Sequence, residues 1–219
     1  MPARYDPALI PPAPTLEVES ALWQGGNKKI AGLDEAGRGA LAGPVCAGAV
    51  ILPADEPLLV EKLNGVRDSK QLNPRTREHL AVVIRQAALA WGLGWSEAAE
   101  IDQVGIAKAS RLAFMRALAG LGVPAEYLLL DYFTLPEVGL GQIALVKGDQ
   151  RSLSIACASI LAKTERDAFM REQEERYPGY GFAGNKGYGT KVHRQAIQAL
   201  GACAIHRKSF KLTENNSPA

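Results

Sequence analysis

The most constraining feature of the chain is a pair of apolar, β-prone runs, KKIAGLD (Lys28 to Asp34) and VCAGAVIL (Val45 to Leu52), joined by the glycine-rich EAGRGALAGP. The composition of the joint predicts a hairpin-like connection that starts a sheet. The first run ends on two adjacent carboxylates, Asp34 and Glu35. An ionised carboxylate taken out of water costs several kcal/mol or more unless a charge, hydrogen bonds or a metal compensates it. Gly37 follows at once and permits a turn, and successive strand residues face opposite ways, so the two acids share a site only if the strand stops there.

Beyond the hairpin, strands alternate with helices. NPRTREHLAVVIRQAAL reads as a helix with Asn73 as its cap and Pro74 in the first turn, and AWGLGWS reads as a third strand. SEAAEID and Ile106 to Leu121 follow as helices, EYLLLDYF as a central strand delivering Asp131, and IALVKGD (Ile143 to Asp149) as one more strand. A long helix runs from about Ser152 to Arg176, and its Ala156, Ala158, Ser159 and Ala162 permit close approach to a sheet. TKVHRQAIQALG, from Thr190, is the last helix. The alternation predicts an α/β fold with a mixed sheet, whose ligands collect at strand ends. Residues 1 to 26, rich in proline and without a period, read as an extended or disordered arm.

Asp34, Glu35, Asp131 and Asp149 each stand at the end of an apolar strand, so a sheet that gathers those ends gathers four like charges. Divalent cations best explain such a cluster, and hard oxygen donors without His or Cys select Mg²⁺ or Mn²⁺. An Asp at a strand end can equally close a turn or cap a helix, and Asp149, taken alone, reads as a cap. Gly37, Gly39 and Ala42 fit a dinucleotide-binding pattern, with Asp55 or Glu56 downstream, but Pro44 and the β-prone run after it leave no helix where that pattern needs one.

Charge is polarised although the net value is only +2: Met1 to Val146 holds 13 basic and 16 acidic residues, Lys147 to Ala219 holds 12 and 7. Arg176 to Lys211 carries seven Lys or Arg and no acid, interleaved with Tyr177, Tyr180, Phe182, Tyr188 and Phe210, which suits a polyanion with stackable units. Cys46, Cys157 and Cys203 form no CxxC pair, so neither a disulfide framework nor a zinc site is indicated, and they read as reduced, buried fillers. No apolar run reaches the roughly 18 residues of a membrane helix, and prolines break any secretory signal, so a cytoplasmic location is expected.

DEAGRG followed by LAGP, DSK at Asp68 to Lys70, LLLD at Asp131, KGD at Asp149, SIACASILAKTERD, NKGYGT around Tyr188 and IHRKSF together resemble ribonuclease HII. The resemblance runs from about Lys28 to Phe210 with every block in order. It implies an RNase H-like mixed sheet flanked by helices with a C-terminal helical portion, a catalytic domain over 27–211, and a tail over 212–219. It implies a monomeric endonuclease that cuts RNA in RNA–DNA hybrids and single ribonucleotides embedded in duplex DNA, by two-metal hydrolysis with Mn²⁺ or Mg²⁺ that leaves 5′-phosphate and 3′-hydroxyl ends. On that resemblance Asp34, Glu35, Asp131 and Asp149 are the catalytic and metal-binding acids. Gly37, Arg38 and Gly39 read the ribose 2′-hydroxyl, Tyr188 meets the ribonucleotide-to-deoxynucleotide junction, and Lys70, Lys186 and Arg207 contact phosphates. Glycines beside Tyr188 leave its ring free of neighbouring side chains, and His79, His193 and His206 read as surface or structural residues. Tyr132 and Phe133 depart from the family pattern, which has a small residue there, and Ala204 stands where a proline is common. Ribonuclease HIII, with a similar core behind a large N-terminal domain, and a non-catalytic hybrid binder are the alternatives.

Overall fold

In the computed structural model, which describes residues 10–213, the two opening runs pair as expected. Strand β1 (Ile30–Ala36) lies antiparallel to β2 (Val45–Ile51), from Ala31 opposite Ile51 to Ala36 opposite Cys46. β3 (Ala90–Ser96) is antiparallel to β2, while β4 (Tyr127–Asp131) runs parallel to β1 and β5 (Gly141–Leu145) parallel to β4. The sheet order β3-β2-β1-β4-β5 is the mixed arrangement that a hairpin followed by βα units produces.

The helices are α1 (Glu17–Gln24), α2 (Leu59–Lys62), α3 (Pro74–Ala87), α4 (Ala98–Val104), α5 (Ile106–Ala119), α6 (Leu153–Arg176), α7 (Phe182–Asn185) and α8 (Lys191–Leu200). The Asn73 side chain accepts a hydrogen bond from the Thr76 N–H at 3.0 Å and caps α3. On one sheet face, Ala109, Ala113, Phe114 and Ala117 of α5 pack against Ala31, Leu33, Ala47 and Ala49. α6 covers the other face at very short range. A Cβ placed on Gly32 would stand 2.3 Å from the Ser154 carbonyl carbon, and one on Gly48 would stand 2.5 Å from the Ala158 carbonyl oxygen. Small residues on α6 and glycines on the sheet are therefore two halves of one contact, and it brings Ser159 and Lys163 down to the strand ends.

Two expectations are corrected. The segment before Lys28 is not simply extended or irregular: Glu17–Gln24 is helical, and Glu19 is 1% exposed. Its Oε1 accepts from Ser152 Oγ at 2.6 Å, the Ser154 N–H at 2.9 Å and Ser154 Oγ at 2.7 Å, so tertiary capping of α6 holds a helix that the proline-rich sequence conceals. Residues 1–9 of that arm and 214–219 of the tail lie outside the described residues. IALVKGD is not a strand throughout either. β5 ends at Leu145, Lys147 takes a left-handed conformation (φ 54°), and Asp149 lies in a single 3₁₀ turn, Gly148–Gln150. Among the described residues, no helix is long and apolar enough to cross a membrane.

Candidate active site

Leu33 pairs with Leu130 across the parallel β1 and β4, so the next residues, Asp34 and Asp131, project side by side toward α6. Asp34 is buried; its Oδ1 accepts from the Glu35 N–H at 2.7 Å, and its carboxylate is hydrogen-bonded by Ser159 of α6. Asp131 Oδ1 accepts from the Gly148 N–H at 2.7 Å, which draws the turn bearing Asp149 against it. The expectation that β1 stops between Asp34 and Glu35 is not met, since pairing with β2 continues to Ala36. The two acids meet one cleft for another reason: β1 outruns β4 beyond Leu33, so its flank is open there. Glu35 lies at the rim, its Oε1 3.6 Å from Arg38 Nη1.

The acids are electrostatically frustrated. Burial first, then Glu35, Asp131 and Asp149, push the Asp34 carboxyl well above its ordinary range, against the Ser159 hydrogen bond. Burial pushes Glu35 up to about 7 although Arg38 opposes it, with Asp131 adding to the rise. Burial also raises Asp131, and burial with Asp131 and Asp68 as neighbours raises Asp149 to about 6. Lys70 is the reciprocal case: burial works to lower its pKa, but Asp34, Asp149, Asp68 and Asp131 outweigh that and raise it. Glu35 Oε2 is buried without a hydrogen-bond partner. Among the described residues, no three acidic, His or Cys groups converge as they stand into a set that could hold an ion. The donor chemistry nevertheless fits one, because crowded, all-oxygen, partly unsatisfied carboxylates are what a hard divalent cation compensates.

Beside the acids lies a cleft of about 420 Å³, lined by Asp34, Glu35, Ala36 to Gly39, Ser69, Lys70, Ser159, Lys163 and Tyr188. Gly37 has φ +91°, and a Cβ there would stand 1.8 Å from Arg166 Nε, so only glycine fits. The space around Gly39 is open. Arg38 sits 5.3 Å above the Phe133 ring, which gives one of the two departures from the family pattern a local role.

The basic and aromatic residues divide. Lys70 and Tyr188 line the cleft, and the Tyr188 ring lies against Lys163 Nζ (5.5 Å) and Arg166 Cζ (5.3 Å). That ring is therefore held by cations rather than free of neighbours. Arg207 is corrected: it is fully buried, donating from Nε to Gly43 O (3.0 Å), from Nη1 to Arg38 O (2.8 Å) and from Nη2 to Gly37 O (2.7 Å). It clamps the glycine loop and has no donor group facing a phosphate. The Lys186 ammonium donates to the Ala183 carbonyl and does not line the cleft.

Sequence reasoning missed four residues. Ser159, Lys163 and Arg166 follow one another down α6 at helical spacing, and Arg166 donates to Pro44 O (2.8 Å), Lys186 O (2.9 Å) and Ala42 O (3.2 Å). Asp68 accepts from the Lys70 N–H (2.9 Å) and from Gln150 Nε2 (3.1 Å), joining the DSK segment to the turn of Asp149. The period along α6 and the acid of DSK were the available signals.

A family model described as Ribonuclease HII matches residues 31–213. A Ribonuclease HII of Synechococcus sp. is 56% identical over 197 residues, covering 90% of this chain and 88% of its own length. That of Moorella thermoacetica is 50% identical over 193 residues, covering 88% and 91%. Among solved structures, ribonuclease H2 from Pyrococcus horikoshii OT3 superposes with a TM-score of 0.70 at 25% identity, over 84% of this chain and 94% of that one. Bst-RNase HIII in complex with Mn²⁺ gives 0.69 at 21% identity, over 88% and 70%, and shares the fold. The RNase H-like sheet with a helical C-terminal portion, the ordered motifs and these relatives agree: the chain belongs to the ribonuclease HII family and is a hydrolytic nuclease with ribonuclease H activity.

Proposed function

We propose that the enzyme cuts the RNA strand of RNA–DNA hybrids and single ribonucleotides embedded in duplex DNA, leaving 5′-phosphate and 3′-hydroxyl ends. One observation carries the reading. Four crowded, mutually repelling carboxylates stand together, and two of them, Asp34 and Glu35, line a cleft that also holds a glycine loop, Lys70 and Tyr188. A hybrid-binding module without catalysis gains nothing from acids facing a polyanion.

Asp34, Glu35, Asp131 and Asp149 would hold Mn²⁺ or Mg²⁺, two ions with substrate bound, which would activate a water and neutralise the departing 3′-oxygen. The Mn²⁺ in Bst-RNase HIII supports divalent-metal use on this fold. Gly37 to Gly39 let the backbone approach a ribose, where a 2′-hydroxyl separates RNA from DNA. Tyr188, backed by Lys163 and Arg166, meets the junction sugar, and Lys70 meets a phosphate beside the acids. Since the 3′-oxygen leaves, the 2′-hydroxyl serves recognition. The reading retains a monomer in the cytoplasm, with 27–211 as the catalytic domain.

The test is cleavage of matched RNA–DNA, RNA–RNA and DNA–DNA duplexes with Mg²⁺, with Mn²⁺ and with excess EDTA. RNA cleavage confined to the hybrid and abolished by EDTA is expected. Cleavage that persists in EDTA, or that spares the hybrid, refutes the proposal.

A further inference from the structure

His206 and Arg207 are adjacent, both buried, and neither lines the cleft. Arg207 holds the carbonyls of Gly37, Arg38 and Gly43. His206 belongs to a different chain of contacts. The Cys203 N–H lies 2.9 Å from His206 Nδ1, His206 Nε2 lies 3.1 Å from His193 Nε2, and His193 Nδ1 lies 2.9 Å from the Tyr188 carbonyl oxygen.

The ends of this chain fix every proton in it. An amide N–H only donates, so His206 Nδ1 accepts, the Cys203 Sγ 3.1 Å from the same nitrogen can only donate its S–H there, and the His206 proton sits on Nε2. A carbonyl only accepts, so His193 Nδ1 carries the proton and its Nε2 receives the one from His206. The order requires both rings neutral, and burial lowers the pKa of both, His206 to about 4. The Phe182 ring stands edge-on to His193 at 5.3 Å and the Tyr180 ring 4.9 Å from His206, which keeps the pair dry and fixed.

We propose that His206–Arg207 is an alignment element: Arg207 fixes the glycine loop, and His206, through His193, fixes the backbone of Tyr188. Two neighbouring residues outside the cleft thereby set the spacing of its two substrate-reading segments. His193 and His206 are positioning residues, and the inference rests on the reading that Tyr188 meets the substrate.

Ring-nitrogen NMR on the wild-type protein tests the proton order directly, through two-bond ¹⁵N–¹H correlations at pH 7.5. His193 is expected as the Nδ1–H tautomer and His206 as the Nε2–H tautomer; the reverse pattern, or a charged ring, overturns the inference. His193→Asn and His193→Gln supply the functional arm. The Asn amide nitrogen stands near the Nδ1 position and keeps the donor to Tyr188, whereas Gln reaches toward His206 and loses that donor. His193→Asn should cut a single-ribonucleotide duplex near the wild-type rate, while His193→Gln should lose about tenfold, the size of one hydrogen bond, with binding to all-DNA duplex unchanged. Equal rates in the two variants overturn the inference. Tyr188→Ala, measured in parallel, separates the failures: if it is impaired while both His193 variants match wild type, alignment alone is wrong. If Tyr188→Ala cuts at the wild-type rate, the reading of Tyr188 falls and the alignment with it.

Discussion

Glu35→Gln should stabilise the metal-free protein. Burial carries the folded-state pKa of Glu35 from 4.5 to about 7, so the folded chain holds a proton where the unfolded chain has lost it. Stability therefore falls as pH rises from about 4.5 to about 7 and stays reduced above that. At 1.36 kcal/mol per pKa unit, the penalty at pH 8 is about 3 kcal/mol. Glutamine removes the charge, and the value of about 7 already includes the opposing Arg38 contact, but the amide leaves a polar atom where Glu35 Oε2 has no partner, at a cost of about 1–2 kcal/mol. A net gain of about 1–2 kcal/mol remains. For a chain of this size each kcal/mol moves Tm by about 2–4 °C. Scanning calorimetry of wild type and variant in EDTA at pH 5 and pH 8 measures it: the variant should melt higher at pH 8, and the advantage should shrink at pH 5. Saturating Mn²⁺ should close or reverse the gap, because an ion at a hundred times its Kd adds about 2.7 kcal/mol to the form that binds it best. A variant that melts below wild type in EDTA at pH 8 would refute the frustrated-carboxylate account.

Asp34→Asn and Asp131→Asn should each fold and each lose more than about a hundredfold in hybrid cleavage with Mg²⁺, measured under single-turnover conditions. Gly32→Ala should cost at least about 2 kcal/mol in urea unfolding, because its new methyl would meet the α6 backbone at 2.3 Å; an unchanged midpoint would show that α6 can retreat. Arg207→Gln removes the charge and abandons the clamp on three loop carbonyls, so Tm and cleavage should fall while the salt slope of duplex binding stays constant; a slope shallower by about one unit would restore Arg207 as a phosphate contact.

What was legible in the sequence was what local pattern encodes. Apolar runs, the Asn73 cap and the small residues of α6 gave the strand order its parts and put Asp34, Glu35 and Asp131 toward the ends of β1 and β4, whereas Asp149 lies in a turn beyond β5. Helix α1 was concealed because its anchor, Glu19, is satisfied by Ser152 and Ser154, more than a hundred residues away. Arg207 reads in sequence as one more cation in a basic segment, and only burial against Gly37, Arg38 and Gly43 turns it into a backbone clamp. His193 and His206 carried no signal at all, since a contact between two ring nitrogens at 3.1 Å depends on how α8 returns to the loop after it. Asp149 came from the ordered motifs rather than from its own context, where a cap was the simpler reading.

The central claim is that the acids do the chemistry and the glycine loop only reads the 2′-hydroxyl, and the ends of the product test it most directly. A duplex of DNA carrying one ribonucleotide is cut in Mn²⁺ or Mg²⁺, and the termini are identified by mass spectrometry beside an all-deoxy control. The account predicts a 3′-hydroxyl upstream and a 5′-phosphate downstream, with the control uncut. A 2′,3′-cyclic phosphate, or cleavage of the control at a similar rate, would contradict it.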